Sequence, residues 1–248
     1  MTALRLVDVK DQPHRQARPD AAMEIRSVLF DFDGTLIDSM GLVYEAFQTS
    51  IENALGRRPP RAEIRRFFGL PESEIIRRIV GSERAEYAIE EFHRVYESRH
   101  AAEAKVFPGI MELIERLPSA GVALGIVTGK GRRSTEFALR AFGLDRWFKV
   151  VITGDDVTHP KPDPEGILKA VQCLGESREH VLYVGDAAAD VEMGLAAGVR
   201  LALPGWNPEV VWVNDNSVLR LAQPEQLLEL LAIRKGSAAA DADPIPES

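Results

Sequence analysis

Two aspartates near the start of the chain have the spacing of a catalytic carboxylate pair. They are Asp31 and Asp33, in the stretch FDFDGTLIDS at residues 30–39. Residues two apart along an extended chain point to the same side, so both carboxylates can face one ligand. Such carboxylates can bind a hard cation, attack an electrophile or transfer protons. Gly34 follows them and allows a close backbone approach that a Cβ would hinder.

Further polar clusters follow short apolar runs later in the chain. In an open parallel sheet, ligands bind outside the carboxyl ends of the strands, so we expect these clusters to meet Asp31 and Asp33 at one edge. The clusters are Thr128-Gly129-Lys130, Lys161 of the segment HPKPDP, and Gly185-Asp186 with Asp190.

The acids in these clusters predict a magnesium site. Asp31, Asp33 and Asp186 offer enough oxygen ligands for a hard cation, and Mg²⁺ also accepts a substrate phosphate oxygen. The sequence has no Cys/His set with the spacing of a zinc site, which argues against zinc.

The remaining polar groups are suited to holding a phosphoryl group. The Thr128 hydroxyl and the Gly129 amide can donate to phosphate oxygens, and Lys161 adds a cation beside the acids. Lys130 is expected to contact the distal part of a substrate. Phosphoryl transfer requires mainly in-line positioning and charge neutralisation, and this set of residues supplies both.

Five short apolar runs predict the strands that position these residues. The runs are rich in Val, Ile and Leu and lack polar alternation, which is typical of strands buried on both faces. Helical patterns lie between the later runs, so the fold class is predicted as α/β with a Rossmann-like parallel sheet. The predicted strands are 27–30, 122–127, 149–152, 180–184 and 199–203.

A helical interval interrupts this alternation after the first strand. Residues 40–104 contain no strand-like run and predict helices at Leu42–Leu55, Arg61–Phe68, Glu72–Val80 and Glu83–Ala101. We therefore predict a helical cap at 40–104 inserted into an α/β core formed by 24–39 and 105–235. Residues 1–23 are predicted to be a flexible extension, and 236–248 a disordered tail.

Composition limits the partners of the chain. The net charge of −8 over 248 residues disfavours binding to nucleic acid or an anionic membrane. No stretch approaches the ~18 apolar residues of a membrane span, so a cytoplasmic location is expected. The single cysteine, Cys173, lies at an apolar position of a predicted helix and is expected to be buried. The expected partner is a small phosphorylated metabolite, and the sequence leaves monomer and homodimer equally open.

Several other residues receive structural interpretations. Asp155 and Asp156 are interpreted as turn or capping residues, and Ser39 as the cap of the first cap helix or part of the hinge before it. The three tryptophans are interpreted as packing residues. The loop at residues 68–72 is the predicted region of the cap that approaches the site.

Together the segments DFDGTLIDS, TGK, the lysine of HPKPDP and GDAAAD resemble, in this order, the four motifs of the haloacid dehalogenase (HAD) superfamily. The helical insert after the first motif is similar to the cap of the first subfamily. Within the superfamily, residues 24–232 most resemble phosphoglycolate phosphatase and the related pyrophosphatase. The chain departs at Gly129, where many close relatives carry Asn.

This resemblance implies a role for each motif residue. Asp31 would be the nucleophile and a Mg²⁺ ligand, while Asp33 would be the general acid and base and would bind Mg²⁺ through its carbonyl. Lys161 would orient Asp31. The resemblance further implies the phosphoryl-binding pair Thr128 and Gly129, the metal ligand Asp186, and Asp190 holding a metal-bound water or the Lys161 ammonium.

Four functions are compatible with these motifs. The first is a Mg²⁺-dependent phosphatase that acts through an aspartyl-phosphate. The second is a phosphomutase of the β-phosphoglucomutase type, but Val43 stands twelve residues after Asp31, where such mutases carry His. The third is dehalogenation, against which Asp33 speaks. The fourth is a non-catalytic protein that binds a phosphorylated ligand.

Overall fold

A parallel sheet forms the centre of the fold in the computed structural model, which describes residues 25–213 and 215–231. The predicted extension at 1–23 and the predicted tail at 236–248 lie outside these described residues. The strands are β1 (Ser27–Phe30), β2 (Ile37–Asp38), β3 (Lys105–Val106), β4 (Ala123–Val127), β5 (Val150–Ile152), β6 (Val181–Val184), β7 (Arg200–Pro204) and β8 (Val218–Leu221).

The order of strands in this sheet is β5-β4-β1-β6-β7-β8, and each neighbouring pair runs parallel. Every residue of β1 and β6 is buried, as the unbroken apolar runs predicted. Leu29 of β1 lies between Gly125 of β4 and Tyr183 of β6 in the register. The carboxyl ends of β1, β4, β5 and β6 therefore meet at one edge.

Helices connect the strands and also form one continuous helical segment. Four helices between residues 40 and 103 form this segment, in the interval that was predicted to be helical. The helices are α1 (Met40–Leu55), α2 (Arg61–Arg65), α3 (Glu72–Val80), α4 (Ser82–Glu103), α5 (Ile110–Ser119), α6 (Arg132–Ala141), α7 (Glu165–Leu174), α8 (Ala188–Ala197) and α9 (Glu225–Leu230).

The helical segment leaves and re-enters the sheet region at neighbouring points. Strands β2 and β3 flank it and pair antiparallel, with Ile37 opposite Val106. Helices α1 and α4 pack together through Phe47 and Phe92, whose ring centroids lie 4.6 Å apart. The fold is thus an α/β sheet core with an inserted helical cap, while the exact division into domains stays a prediction.

The structure corrects three predictions about individual elements. Strands β2, β3 and β8 and helix α9 were not predicted. Strands β2 and β3 have only two residues each, Arg220 interrupts the apolar run of β8, and the six residues of α9 are too few for a clear periodicity. Helix α2 ends at Arg65 rather than Phe68. Cys173 is exposed, because the buried stripe of α7 is centred on Ile167, Ala170 and Val171 and Cys173 lies to one side of it.

Within the described part of the chain, no helix is both long and apolar enough to cross a bilayer.

Candidate active site

The turn after β1 places Asp31 and Asp33 at the carboxyl edge of the sheet. The Asp31 amide extends the ladder of β1 by donating to the Val184 carbonyl at 2.8 Å. The chain then reverses at Gly34, which has φ +83° and whose amide donates to the Ile37 carbonyl at 2.8 Å. A Cβ at Gly34 would lie 2.5 Å from an Asp186 carboxylate oxygen, so glycine is required for Asp186 to approach.

A buried ion-pair cluster surrounds Lys161. The Lys161 ammonium donates to Asp31 Oδ1 at 2.9 Å, to Asp190 Oδ1 at 2.7 Å and to the Tyr183 hydroxyl at 2.9 Å. Burial alone would lower the pKa of Lys161, but Asp190 and Asp31 outweigh it and raise that pKa. Lys161 is therefore a cation that is hydrogen-bonded to the Asp31 carboxylate.

Asp190 holds Lys161 and the start of α8 at the same time. Its Oδ2 accepts a hydrogen bond from the Ala187 amide at 3.0 Å, in addition to the contact of its Oδ1 with Lys161. The Tyr183 hydroxyl also lies 2.7 Å from Asp190 Oδ1. Burial, followed by the charge of Asp190, raises the pKa of Tyr183 well above its usual range, so the hydroxyl stays neutral.

Asp186 follows β6 and is held by two side chains from other loops. Thr35 Oγ1 donates to Asp186 Oδ1 at 3.1 Å, and Asn207 Nδ2 lies 3.2 Å from Asp186 Oδ2. Asn207 Nδ2 also donates to the Gly34 carbonyl at 2.8 Å, which ties the β7 loop to the β1 turn.

Three carboxylates of this edge lie close enough to share a cation. Ligand oxygens of Asp31, Asp186 and Asp190 all lie within 4.8 Å of one another. Burial, partly offset by Lys161, raises the pKa of Asp31 to about 6. Burial, followed by repulsion from Asp190 and Asp31, raises the pKa of Asp186 to about 8. When all four groups are ionised, three carboxylates face one ammonium, and burial makes the remaining negative charge costly.

A hard divalent cation fits this excess of charge. The donor atoms are all oxygens, and the raised pKa values of Asp31 and Asp186 show that another cation would stabilise both carboxylates. The contacts of Asp190 with Lys161 and the Ala187 amide fix its position beside the other two acids.

Asp33 occupies a separate network beside Asp31. Ser39 Oγ donates to Asp33 Oδ1 at 2.5 Å, and Lys130 Nζ donates to Asp33 Oδ2 at 3.1 Å. Ser39 therefore binds Asp33 instead of capping α1, where it makes no side-chain capping bond. Each carboxylate of the predicted pair thus has its own lysine.

The loop after β4 brings Thr128 and Gly129 to the same edge. The Thr128 amide donates to the Ile152 carbonyl at 2.9 Å, which continues the pairing of β4 with β5. Gly129 lies directly under the cap, since a Cβ there would be 2.9 Å from the Gly69 carbonyl oxygen. This contact confirms that the 68–72 loop reaches the core, and it explains why glycine occupies position 129.

Asp155 and Asp156 act as caps, as predicted. Asp155 accepts a hydrogen bond from the Arg132 amide at 2.8 Å, at the start of α6. Asp156 accepts from the Thr153 amide at 2.8 Å and pairs with the Arg132 guanidinium. These two acids therefore shape the loop around the site without pointing at its carboxylates.

The structure brings together the predicted residues and adds some that the sequence analysis missed. Tyr183 had a usable signal, since a tyrosine within a fully buried strand needs a partner for its hydroxyl. Trp206 had been interpreted as a packing residue, but its indole donates to the Thr35 carbonyl at 2.9 Å and so supports the β1 turn. Thr35 and Asn207 carried no local signal in the sequence.

Comparisons with known proteins agree with this geometry. The profile of the haloacid dehalogenase-like hydrolases matches residues 28–203. Pyrophosphatase PpaX of Anoxybacillus flavithermus is 33% identical over 210 residues, which cover 85% of this chain and 95% of the relative.

Solved structures show the same fold. A HAD-superfamily hydrolase of subfamily IA from Geobacter sulfurreducens has a TM-score of 0.62 and 26% identity, covering 86% of this chain and 99% of the other. CbbY from Rhodobacter sphaeroides, solved with phosphate, has a TM-score of 0.71 and 24% identity, covering 84% and 99%. The profile spans most of the chain, and the chain therefore belongs to the haloacid dehalogenase-like hydrolase family.

Proposed function

We propose that this hydrolase is a Mg²⁺-dependent phosphatase that cleaves a small phosphorylated metabolite through an aspartyl-phosphate on Asp31. The observation that carries the proposal is the contact of Asp31 with Lys161 at 2.9 Å, at the edge where Asp33, Asp186 and Thr128 also lie. A buried carboxylate held by a fixed cation is an oriented nucleophile, and a second carboxylate beside it can transfer protons.

In the first step, an oxygen of Asp31 attacks phosphorus while the bond from phosphorus to the leaving oxygen breaks. Asp33 gives its proton to that leaving oxygen. The Thr128 hydroxyl and the Gly129 amide donate to the oxygens of the transferring group. Lys161 keeps Asp31 in line and offsets charge on the phosphoryl oxygens.

In the second step, water attacks the phosphorus of the aspartyl-phosphate. Asp33, now a carboxylate, takes a proton from this water, and the bond from phosphorus to the Asp31 oxygen breaks. The products are phosphate and the original Asp31 carboxylate, and the proton that Asp33 takes from water replaces the one that it gave to the leaving oxygen. The cap loop over Gly129 would exclude other water during these steps.

Asp31, Asp186 and the Asp33 carbonyl would hold the Mg²⁺ ion. When bound, the ion supplies positive charge that offsets the charge of the phosphoryl oxygens and of the two carboxylates. Asp190 would support this arrangement by keeping Lys161 against Asp31.

The proposed substrates are small phosphate esters and pyrophosphate. The similarity to pyrophosphatase PpaX makes pyrophosphate the first compound to test, followed by phosphoglycolate and sugar phosphates. Val43 is buried on α1 and offers no titratable side chain, which gives the phosphomutase no support. The cytoplasmic location and the small-molecule partner belong to this proposal as predictions.

Phosphate release from this panel with Mg²⁺ tests the proposal, with Asp31→Asn measured in parallel. We expect release by the native chain and a loss of at least about 10³-fold in Asp31→Asn, because the amide cannot attack phosphorus. Asp155→Asn is a matched control, since Asp155 caps α6 and should leave turnover within a few-fold. Release that survives in Asp31→Asn would contradict the proposed nucleophile.

A further inference from the structure

Lys130 is a buried lysine that contacts two carboxylates and an aromatic ring. Its side chain is 2% exposed, and its ammonium lies 3.1 Å from Asp33 Oδ2 and 3.5 Å from Glu72 Oε1. The ammonium also lies 4.3 Å from the ring centroid of Tyr96, a cation–π distance. An ammonium surrounded in this way is not directed toward a substrate in an open cleft.

The burial of Lys130 explains why these partners are needed. An ammonium removed from water is costly unless it is paired, and here two carboxylates and an aromatic face replace the lost hydration. Asp33 and Glu72 lie on the ammonium as ion-pair partners, and the Tyr96 ring covers it, so the contacts suit a lysine held as a cation in this position.

Glu72 connects this lysine to the cap. It belongs to the first turn of α3, it is 5% exposed, and its Oε2 accepts a hydrogen bond from the Gly131 amide at 2.5 Å. A Cβ at Gly131 would lie 2.4 Å from that oxygen, so glycine permits the contact. Glu72 is thus fixed against the loop that carries Lys130.

The two lysines of the site divide the two carboxylates between them. Lys161 belongs to the core and forms an ion pair with Asp31. Lys130 lies between the core and the cap and forms an ion pair with Asp33. Ser39 holds the other oxygen of Asp33, so both oxygens of this carboxylate are fixed in place. The sequence had predicted Lys130 as a substrate-binding residue, whereas its contacts in the structure are with Asp33, Glu72 and Tyr96.

We propose that Lys130 is a positioning residue for Asp33 and not a substrate ligand, with Glu72 as the counter-ion that keeps the ammonium there. The inference rests on the proposed function, because it concerns the residue that would protonate the leaving oxygen. If it is right, the loss of Lys130 impairs proton transfer more than it impairs substrate binding.

Leaving-group dependence measures this difference. An aryl ester such as p-nitrophenyl phosphate expels a weakly basic oxygen and needs little help from an acid, whereas an alkyl phosphate needs a well-placed one. For Lys130→Met, we expect kcat/KM to fall by about 10²-fold or more with the best alkyl phosphate of the panel, and by less than about tenfold with p-nitrophenyl phosphate. Lys130→Arg, which keeps the charge, should recover part of the loss with the alkyl ester.

Two further variants keep the test decisive. Lys130→Met leaves Glu72 as a buried unpaired charge, so the same ratio is measured in Lys130→Met/Glu72→Gln, which removes both charges. Lys149→Met, at an exposed lysine before β5, is the matched control and should leave both esters unchanged. If Lys130→Met lowered kcat/KM equally for the two esters, or raised KM without changing kcat, the positioning role would be overturned. Absence of turnover in the native chain would instead refute the proposed function.

Discussion

Replacing Lys161 with methionine removes the cation at the centre of the buried ion-pair cluster. Methionine keeps the apolar part of the side chain, so the change is mainly one of charge. Asp31 and Asp190 then lose an ammonium that lies 2.9 and 2.7 Å away and whose side chain is 9% exposed. Removal of one partner from a buried pair costs about 3–5 kcal/mol, so we expect the free energy of unfolding at about pH 8 to fall by this amount.

The size of this loss should depend on pH. The folded-state pKa of Asp31 is about 6, above its ordinary value of 3.8, so the folded chain binds more protons than the unfolded chain between these values. The stability linked to Asp31 is therefore fully present below about pH 4 and is lost as the pH rises through about 6. Lys161 lowers this pKa, so its removal extends the window upward. The penalty of Lys161→Met should consequently be larger at about pH 8 than at about pH 5.5.

Urea denaturation at these two pH values, in EDTA and in Mg²⁺, gives the comparison. Mg²⁺ should restore part of the lost stability, because it supplies another cation to Asp31. Lys169→Met is the matched control, since Lys169 pairs with Glu165 at 2.6 Å but is 42% exposed, and its loss should cost about 1 kcal/mol or less. A penalty for Lys161→Met below about 1 kcal/mol, or one equal at both pH values, would refute the electrostatic reasoning.

Three further predictions concern the metal site and the cap contact. Without a divalent cation, the free energy of unfolding should fall as the pH rises from about 4 to about 8. The reason is that the pKa of Asp186 is raised, so between these pH values the folded chain binds a proton that the unfolded chain does not. Asp186 should contribute at most about 1.4 kcal/mol per pH unit to this fall. Calorimetry in two buffers should accordingly detect proton release when Mg²⁺ binds near neutral pH, and a flat stability profile would contradict this. Asn207→Ala removes the donor to Asp186 and should weaken Mg²⁺ binding about 10- to 100-fold in a titration, whereas unchanged affinity would show that Asn207 does not orient this ligand. Gly129→Ala places a Cβ 2.9 Å from the Gly69 carbonyl oxygen and should reduce kcat/KM at least tenfold by moving the cap loop, with little change in melting temperature. Native kcat/KM in that variant would mean that the loop tolerates the displacement.

The sheet and the acids at its edge could be predicted from the sequence for a clear physical reason. Strands buried on both faces form unbroken apolar runs, and the residues directly after them meet at one edge whatever the details of packing. Asp31 and Asp186 were found in this way. The resemblance implied that Asp190 holds either a metal-bound water or the Lys161 ammonium, and Asp190 contacts Lys161.

Residues that act across long separations could not be predicted. Asn207 reaches Gly34 across 173 positions, and nothing local marks it as a partner of the β1 turn. The direction of Lys130 depends on Glu72 and Tyr96, which belong to different helices of the cap segment. A motif gives the position of such a lysine along the chain, but the packing of the cap decides which carboxylate it contacts.

The central claim is that Asp31 carries the phosphoryl group between the two chemical steps. The direct test is acid quenching of Asp33→Asn during reaction with p-nitrophenyl phosphate and Mg²⁺, followed by mass spectrometry of the peptides. Loss of the Asp33 base should slow hydrolysis of the intermediate, whereas the aryl leaving group needs little protonation to form it. The account predicts one added phosphoryl group on the peptide that contains Asp31. A phosphoryl group on another residue, or no adduct in a variant that still releases p-nitrophenol in a burst, would contradict it.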